Sequence, residues 1–305
     1  MLHRLPFRAM GGEMLAILEG EEDSFPSILD EVPGWFEGWE QTLSRFRPDS
    51  ELSRLNQTFD QPVEVSETLW DVFQYALSAE TITGGLVTPG VLDALVEAGY
   101  SESYDFLPRQ QVRFGVQTLS AVNPLSLVTW DEDDRTICLP YGMRLDFGGV
   151  AKGWAAHQTA MRLKKYGSGL MNAAGDIAIN GSMSCGELWL IGVRNPFVKD
   201  TDFETLKLSR CGVATSGKDR RTWNQNGMFR HHIIDPKTGL PAETNVVTAT
   251  VVAPTVMEAE AASKAALILG GEKGLEWIES DPSLAGILVL DNGHTLYSKR
   301  ITEYL

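Results

Sequence analysis

Short runs of β-forming residues dominate the second half of the chain, and they do not alternate strictly with helices. Two helical segments, Met257–Leu269 and Gly271–Ser280, lie between the later runs. A parallel doubly wound sheet would place a helix after almost every strand, and neither GxGxxG nor GxxxxGK[ST] is present. The sequence therefore predicts an α+β fold with a largely antiparallel sheet flanked by helices. Strands are expected at Gly169–Asn172, Asp176–Asn180, Leu188–Val193, Leu206–Ala214, His231–Ile234, Val246–Val252, Ala285–Leu290 and Thr295–Ser298.

Helical patterns prevail in the first half. Apolar residues recur at helical spacing through Ser27–Phe46, and Ser66 begins SETLWDVFQYALSAET as an N-cap. Further helices are expected at Val91–Ala98 and Gly149–Tyr166. Between residues 112 and 145 the chain alternates and turns, and LSLVTWDEDDRTICLP predicts a hairpin around residues 131–134. Without a long linker or an internal repeat, residues 1–305 are expected to form one domain, which could have two lobes.

The charge balance limits the classes of partner. Among 305 residues, 26 are basic and 41 acidic, and the net charge of −15 argues against non-specific binding to nucleic acid or to an anionic membrane surface. An anionic ligand would need a local basic pocket. The amino terminus lacks a continuous apolar signal segment, and no window of about 18 apolar residues suggests membrane insertion. A cytoplasmic protein is expected.

Two glycine-containing segments could receive a ligand. In RLDFGGVAKGWAAH, Asp146 ends a strand, Gly148 and Gly149 permit close backbone approach, and Lys152 opens a helix whose amino terminus favours anions. The segment fits a phosphate cradle, and it also fits a capped helix start with a solvated lysine. In LMNAAGDIAING, small residues precede Asp176, which suits either a flat ligand or a tight turn between strands.

Two further segments combine hydroxyl, basic and imidazole groups. GVATSGKDRRTW places Thr215, Ser216 and Gly217 before a basic cluster, which could bind an anion or simply form a surface loop. HHIIDPKTGLP joins two histidines to a Pro-Lys-Thr-Gly turn. Strand alternation sends His231 and His232 to opposite faces, so they cannot both bind one metal without a bulge. One of them could act as a general base, although a histidine on a strand is more often structural.

Taken in order, these segments resemble the FAD:protein FMN transferase family, the ApbE family. The resemblance extends over nearly the whole chain. Besides the segments above, it is carried by FRAMGGEM, FRPDSELSRLNQ, GGLVTPGVLDALVEAGY, LWLIGVRNP and MEAEAASKAALILG. Family membership implies FAD binding and phosphoryl transfer, in which FMN passes to a Ser or Thr hydroxyl of a partner flavoprotein and AMP is released. Some members instead hydrolyse FAD to FMN and AMP.

The resemblance also implies roles for particular residues. Met10, Asp146, Lys152 and Asp176 align with positions that contact FAD, and Thr215, Ser216 and Gly217 align with a Thr-Ser-Gly block that lines the site. In the same way His232 is the candidate base for the attacking hydroxyl, and Asp235 is expected to order its loop. One block departs from the family pattern, because Gly85-Leu86-Val87-Thr88-Pro89-Gly90 stands where the family reads Gly-x-Phe-Asp-Pro-Thr, and the aromatic residue and carboxylate that help to hold the cofactor are missing.

The metal site that the family implies departs further. Family members hold a divalent ion, usually Mg²⁺, with a backbone oxygen near Gly149, an Asp and a Thr; the last two align with Glu260 and Lys264. A lysine ammonium has no lone pair for a metal. Three interpretations stay open: Lys264 takes the place of the ion and pairs with Glu260; a register change lets Glu258, Glu260 or Ser263 bind the ion; or the helix is solvated there and the site is lost.

Two classes of function follow. The first is a Mg²⁺-dependent FMN transferase or FAD pyrophosphatase, and the second is an FAD-binding protein with weak or no transfer, such as a flavin carrier or assembly factor. The intact His232, Asp235 and Thr-Ser-Gly block favour the enzyme.

Overall fold

The largest β-sheet in the described part of the computed structural model is antiparallel and has eight strands. The structure describes residues 1–21, 26–112 and 121–305. The strands are β1 (Leu2–Ala9), β2 (Gly12–Glu19), β3 (Val63–Glu64), β4 (Gln110–Gln111), β5 (Thr129–Asp131), β6 (Thr136–Cys138), β7 (Gly169–Ala173), β8 (Asp176–Ile179), β9 (Trp189–Arg194), β10 (Asp202–Leu208), β11 (Gly212–Gly217), β12 (Thr222–Gln225), β13 (Met228–His231), β14 (Ile234–Asp235), β15 (Leu240–Pro241), β16 (Val246–Ala253), β17 (Ala285–Leu290) and β18 (Thr295–Tyr297). The α-helices are α1 (Ile28–Leu43), α2 (Glu51–Leu55), α3 (Glu67–Ile82), α4 (Leu92–Glu97), α5 (Ala151–Leu163), α6 (Val256–Leu269) and α7 (Gly271–Ser280). Short 3-10 helices lie at Pro89–Val91, Leu125–Leu127, Phe147–Gly149 and Lys299–Tyr304.

The described residues divide into two compact units. The first contains Met1–Phe36, Lys152–Asp219 and Thr244–Leu305, and the second contains Glu37–Ala151 and Arg220–Glu243. Neither α1 nor any other helix within the described residues combines the length and apolar character that a membrane span needs.

The large sheet belongs to the first unit. Within the described residues its eight strands run in the order β1-β2-β7-β8-β11-β16-β17-β18, and every neighbouring pair is antiparallel. One face packs against the β9–β10 hairpin through apolar residues such as Ile177, Val213, Trp189 and Leu206. Helix α6 covers β11 and β16 with a run of buried alanines. These small side chains allow a close approach, because a Cβ added to Gly212 of β11 would lie 1.9 Å from the Val256 nitrogen. The prediction of an α+β fold with a largely antiparallel sheet is confirmed.

The second unit contains α2 to α4 and small sheets of two or three short strands. Its apolar cluster includes Leu95, Tyr100, Leu107, Trp223 and Ile234. Strands β5 and β6 form the predicted hairpin, with Thr129 opposite Cys138. Part of the predicted alternating segment 112–145, residues 113–120, lies outside the described residues.

Several element boundaries differ from the prediction. Leu206–Ala214 is not one strand, because the chain leaves β10 at Leu208 and enters the large sheet at Gly212. His231–Ile234 is also divided, so that His232 and Ile233 lie between β13 and β14. The amino-terminal residues, to which the sequence assigned no element, form the β1–β2 hairpin. The break between β10 and β11 arises because β10 pairs with β9, whereas β11 pairs with β8 and β16 of the large sheet, and local propensity does not report such distant partners.

Candidate functional site

Two hairpin turns lie side by side at one end of the large sheet. Met10 and Gly11 connect β1 to β2 with φ angles of 47° and 65°. Ala174 and Gly175 connect β7 to β8 with φ angles of 56° and 105°. The Ala174 nitrogen donates to the Glu13 oxygen at 3.1 Å, so the second turn is bonded to the strand that follows the first. The structure thus brings the Met10 block and the Asp176 block together, and the small residues before Asp176 form a tight turn.

The Thr-Ser-Gly block on β11 lies beside the same turn. Ala214 is paired with Asp176, and the next three residues continue past it. Thr215 Oγ1 contacts Thr250 Oγ1 at 2.9 Å across to β16, whereas buried Ser216 has its hydroxyl 2.8 Å from Ser263 Oγ of α6. Since successive side chains on a strand point to opposite faces, the two hydroxyls of this block lie on opposite sides of the sheet.

A cluster of four charged side chains lies between β8, α5 and α6. Lys152, in the first turn of α5, forms an ion pair with Asp176 and lies 3.3 Å from Glu260 Oε1. Lys264 Nζ lies 3.7 Å from the same Glu260 oxygen. The other Glu260 oxygen, Oε2, accepts a hydrogen bond of 2.9 Å from the Gly153 nitrogen. We call Lys152, Asp176, Glu260 and Lys264 the lysine–carboxylate cluster.

The cluster is largely removed from water, which shifts two pKa values. Burial raises the pKa of Asp176 to about 6, and neighbouring Lys152 opposes that shift. Burial lowers the pKa of Lys264, while Glu260 acts in the opposite direction. Both directions follow from the cost of placing a charge in a medium of low polarity.

Helix α6 is fixed firmly enough to define where Glu260 lies. Thr255 and Glu258 form a capping box, in which the Glu258 carboxylate accepts from the Thr255 nitrogen at 2.9 Å. Ser263 donates to the Glu260 carbonyl oxygen at 3.1 Å and contacts Ser216. On the side of Glu260 that faces α5, a Cβ added to Gly153 would lie 2.6 Å from Glu260 Oε2 and 3.3 Å from the Val256 carbonyl oxygen, so glycine at residue 153 favours the close approach of α5 to α6.

These contacts bear on the three interpretations of α6. Glu260 is 1% exposed, so the interpretation of a solvated helix is wrong. Of the three residues that the register change could bring to the ion, Glu258 is engaged in the helix cap and Ser263 in the bond to β11. The pairing of Lys264 with Glu260 in the first interpretation is present.

The residues aligned with a metal site do not fit Mg²⁺. This ion prefers about six oxygen ligands in octahedral geometry, whereas Glu260 Oε1 has two ammonium groups within 4 Å. In residues 1–21, 26–112 and 121–305, no group of three His, Cys, Asp or Glu side chains is arranged to hold a metal ion. Gly149, the third aligned residue, ends the Phe147–Gly149 helix of the second unit.

Asp146 is the best-defined predicted site residue of the second unit. It is 8% exposed, caps the Phe147–Gly149 helix by accepting from the Gly148 nitrogen at 2.6 Å, and forms an ion pair with Arg45. The Arg45 guanidinium lies 4.1 Å from the ring centre of Phe46 and 5.0 Å from that of Tyr100, and it donates to the Tyr100 backbone carbonyl oxygen at 2.7 Å. These contacts hold the Asp146 carboxylate in one orientation.

Sequence reasoning missed Arg45. The only local signal is an arginine directly before Phe46 at the end of a helical pattern, and its partner Asp146 is about a hundred residues away. The segment that departs from the family pattern also supports this loop, since the Asp146 nitrogen donates to the Pro89 oxygen at 2.8 Å.

The two histidines differ in their surroundings. His231 is buried; its Nδ1 accepts from the Ile233 nitrogen at 3.3 Å, which leaves Nε2 to donate to the Ala242 oxygen at 3.2 Å. The ring is therefore held between two backbone groups, which is a structural role. His232 is half-buried at the bend between β13 and β14. Asp235 orders the following turn, because its Oδ1 accepts from the Lys237 nitrogen at 2.9 Å and its carbonyl oxygen accepts from the Gly239 nitrogen at the same distance.

Solved structures share this α+β fold. A crystal structure of the ApbE protein from Thermotoga maritima aligns with a TM-score of 0.88 at 24% identity, covering 100% of this chain and 99% of that one. The flavin transferase ApbE from Vibrio cholerae aligns with a TM-score of 0.81 at 24% identity, with coverage of 100% and 99%. The architecture is thus that of the ApbE proteins.

The sequence profile of the ApbE family matches residues 11–288, and the chain belongs to the ApbE family. Among curated relatives, the FAD:protein FMN transferase of Haemophilus influenzae is 29% identical over 308 residues, which cover 96% of this chain and 86% of that protein. The FAD:protein FMN transferase of Escherichia coli K12 is 29% identical over 266 residues, covering 83% and 74%. The resemblance inferred from the sequence blocks is confirmed.

Proposed function

We propose that the protein is an FAD:protein FMN transferase, a flavin-handling enzyme that moves FMN from FAD to a Ser or Thr hydroxyl of a partner flavoprotein. The observation that carries the proposal is family membership over residues 11–288, with relatives of this activity along most of the chain. FAD is its substrate. The acceptor is identified only by chemistry, as a flavoprotein segment with an accessible hydroxyl.

The reaction is a displacement at phosphorus. The acceptor hydroxyl oxygen bonds to the FMN phosphorus of FAD, the bond from that phosphorus to the bridging oxygen breaks, and AMP leaves with the electron pair. The hydroxyl proton needs a base, and phosphate oxygens gain negative charge that cations must stabilise.

Roles are proposed for residues of each unit. In the first, Lys152 and Lys264 stabilise phosphate charge, while Asp176 and Glu260 hold the two ammonium groups in place. Met10 and the Thr215–Gly217 block shape the adjoining sheet end. Magnesium has no part in these roles, because the lysine–carboxylate cluster does not fit it.

In the second unit, His232 is proposed as the base that accepts the hydroxyl proton. Asp235 positions the turn that follows it, and Asp146, held by Arg45, contributes to cofactor binding. The cytoplasmic location expected from the sequence also stays a proposal, which cell fractionation would test.

The test is AMP release from FAD, with and without a peptide that carries a Ser/Thr acceptor. Acceptor-dependent AMP together with flavin covalently attached to the peptide supports the transferase. AMP without an acceptor would instead define a pyrophosphatase, and bound flavin with no AMP would define a binding protein. A His232→Gln variant should retain FAD binding and lose AMP release, whereas His231→Gln should mainly lower stability.

A further inference from the structure

Both lysines of the lysine–carboxylate cluster reach the same carboxylate. Lys152 and Lys264 lie 3.3 Å and 3.7 Å from Glu260 Oε1, although they come from different helices. Their side chains are each 17% exposed, whereas those of Asp176 and Glu260 are 5% and 2% exposed. It is therefore the lysines that the cluster presents to solvent, with the carboxylates behind them.

The two ammonium groups are therefore the part of the cluster that an anionic ligand would meet first. An ammonium group carries a full positive charge and three N–H donors, and phosphate oxygens accept hydrogen bonds from such donors. Elsewhere the chain is strongly acidic, with a net charge of −15, so an anionic ligand requires a place where cations are concentrated.

The same arrangement opposes a divalent ion. A metal at Glu260 would face two ammonium charges within 4 Å of the oxygen that should bind it, and Gly153 already donates to the other oxygen. Glu258, the nearest other carboxylate along α6, closes the helix cap. Binding a metal here would require the cluster to come apart.

We propose that Lys264, held by Glu260, is a built-in cation that binds the phosphate groups of the nucleotide, so that FAD binding by this chain does not depend on a divalent metal. The inference rests on the proposed function for the identity of the ligand. It assigns Lys264 a direct binding role and Glu260 a positioning role.

The decisive measurement is the dissociation constant of FAD, from flavin fluorescence or calorimetry, in EDTA and again in excess Mg²⁺. The wild-type value should be the same within about twofold in both conditions. Lys264→Met should weaken binding about tenfold or more in EDTA, since a charge-assisted hydrogen bond is lost, and Lys264→Arg should recover most of the affinity. Lys165→Met, at an exposed position of the same unit, is the matched control and should bind like the wild type.

Tightening of wild-type binding by about tenfold or more in Mg²⁺ would overturn the inference, as would unchanged affinity of Lys264→Met. In either case flavin still binds and the proposed function stands. If the wild type binds no FAD in either condition, the proposed function fails and this inference fails with it. The wild-type comparison needs no variant, so it decides the question even if Lys264→Met folds poorly.

A second probe is Mn²⁺ without nucleotide, followed by its electron paramagnetic resonance signal. The wild type and Glu260→Gln should give the same spectrum, because Glu260 is not a metal ligand. Stoichiometric Mn²⁺ binding by the wild type that disappears in Glu260→Gln would contradict the proposal.

Discussion

Replacing Glu260 with glutamine tests whether the lysine–carboxylate cluster stabilises the first unit. The amide keeps the shape of the side chain and an oxygen to accept from the Gly153 nitrogen, but it removes the negative charge. Lys152 retains its ion pair with Asp176, whereas Lys264 loses the carboxylate at 3.7 Å. The substitution therefore measures mainly the free-energy penalty of a buried ammonium that has lost its carboxylate, and only to a small extent the loss of a hydrogen bond.

The expected loss of unfolding free energy is about 3 kcal/mol. With an effective dielectric constant of about 20, two unit charges at the observed separations attract each other by roughly 5 kcal/mol before desolvation is counted. Removing one partner of a buried pair costs about 3–5 kcal/mol, and the lower end applies because both lysine side chains are 17% exposed.

Urea unfolding, followed by circular dichroism and tryptophan fluorescence, measures the effect in a double-mutant cycle. The double variant Glu260→Gln/Lys264→Met should lose less unfolding free energy than the two single variants together, by about 1 kcal/mol or more. The reason is that no buried ammonium is left at residue 264. The exposed Glu276→Gln in α7 is the control and should change stability by no more than about 0.5 kcal/mol. A Glu260→Gln loss below about 1 kcal/mol, or no coupling to Lys264, would refute the reasoning.

Three other perturbations have defined outcomes. Gly153→Ala should lower the unfolding free energy, measured in urea, by about 1–3 kcal/mol, because the added Cβ would lie 2.6 Å from Glu260 Oε2. This loss should outweigh the better helix propensity of alanine. An unchanged urea midpoint would contradict the close approach of the two helices. Ala174→Gly should stabilise by about 1 kcal/mol, since Ala174 holds a φ of 56° that glycine adopts without strain, and a loss of stability would show that its methyl group matters more. Asp176 has a raised folded-state pKa, so its contribution to stability is complete below about pH 4 and declines as the pH rises through about 6. Asp176→Asn should remove up to about 3 kcal/mol of the fall in unfolding free energy that the wild type shows over that pH interval. Parallel pH profiles of the two proteins would contradict the raised pKa of Asp176.

Local sequence signals predict the elements that neighbouring residues determine. Ser66 caps the third helix as expected, with its side chain accepting from the Leu69 nitrogen. The eight apolar and small residues of β16 are all buried, which matches a predicted strand at Val246–Val252. The break between β10 and β11 has no comparable signal, because it occurs where the chain passes from one sheet to another.

The lysine–carboxylate cluster was harder to predict from the sequence than the strands that support it. Lys152 and Lys264 are separated by more than a hundred residues, and only the packing of α5 on α6 brings them to one carboxylate. The sequence could suggest a pairing of Glu260 with Lys264, since residues four apart share a helix face. It gave no indication that Lys152 joins them, nor that Gly153 lies against the Glu260 carboxylate.

A family block locates a site without telling which of its atoms face the ligand. Ser216 was expected to line the site with a donor, yet it is buried with its hydroxyl bonded to Ser263 beneath α6. Asp146 has one carboxylate oxygen in a helix cap and the other against Arg45. Both side chains fix the backbone around the site, so substituting them should disturb the positions of neighbouring groups as well as any direct contact. Lys264 is the reverse case, because a residue unsuited to binding a metal is the one proposed to bind phosphate itself.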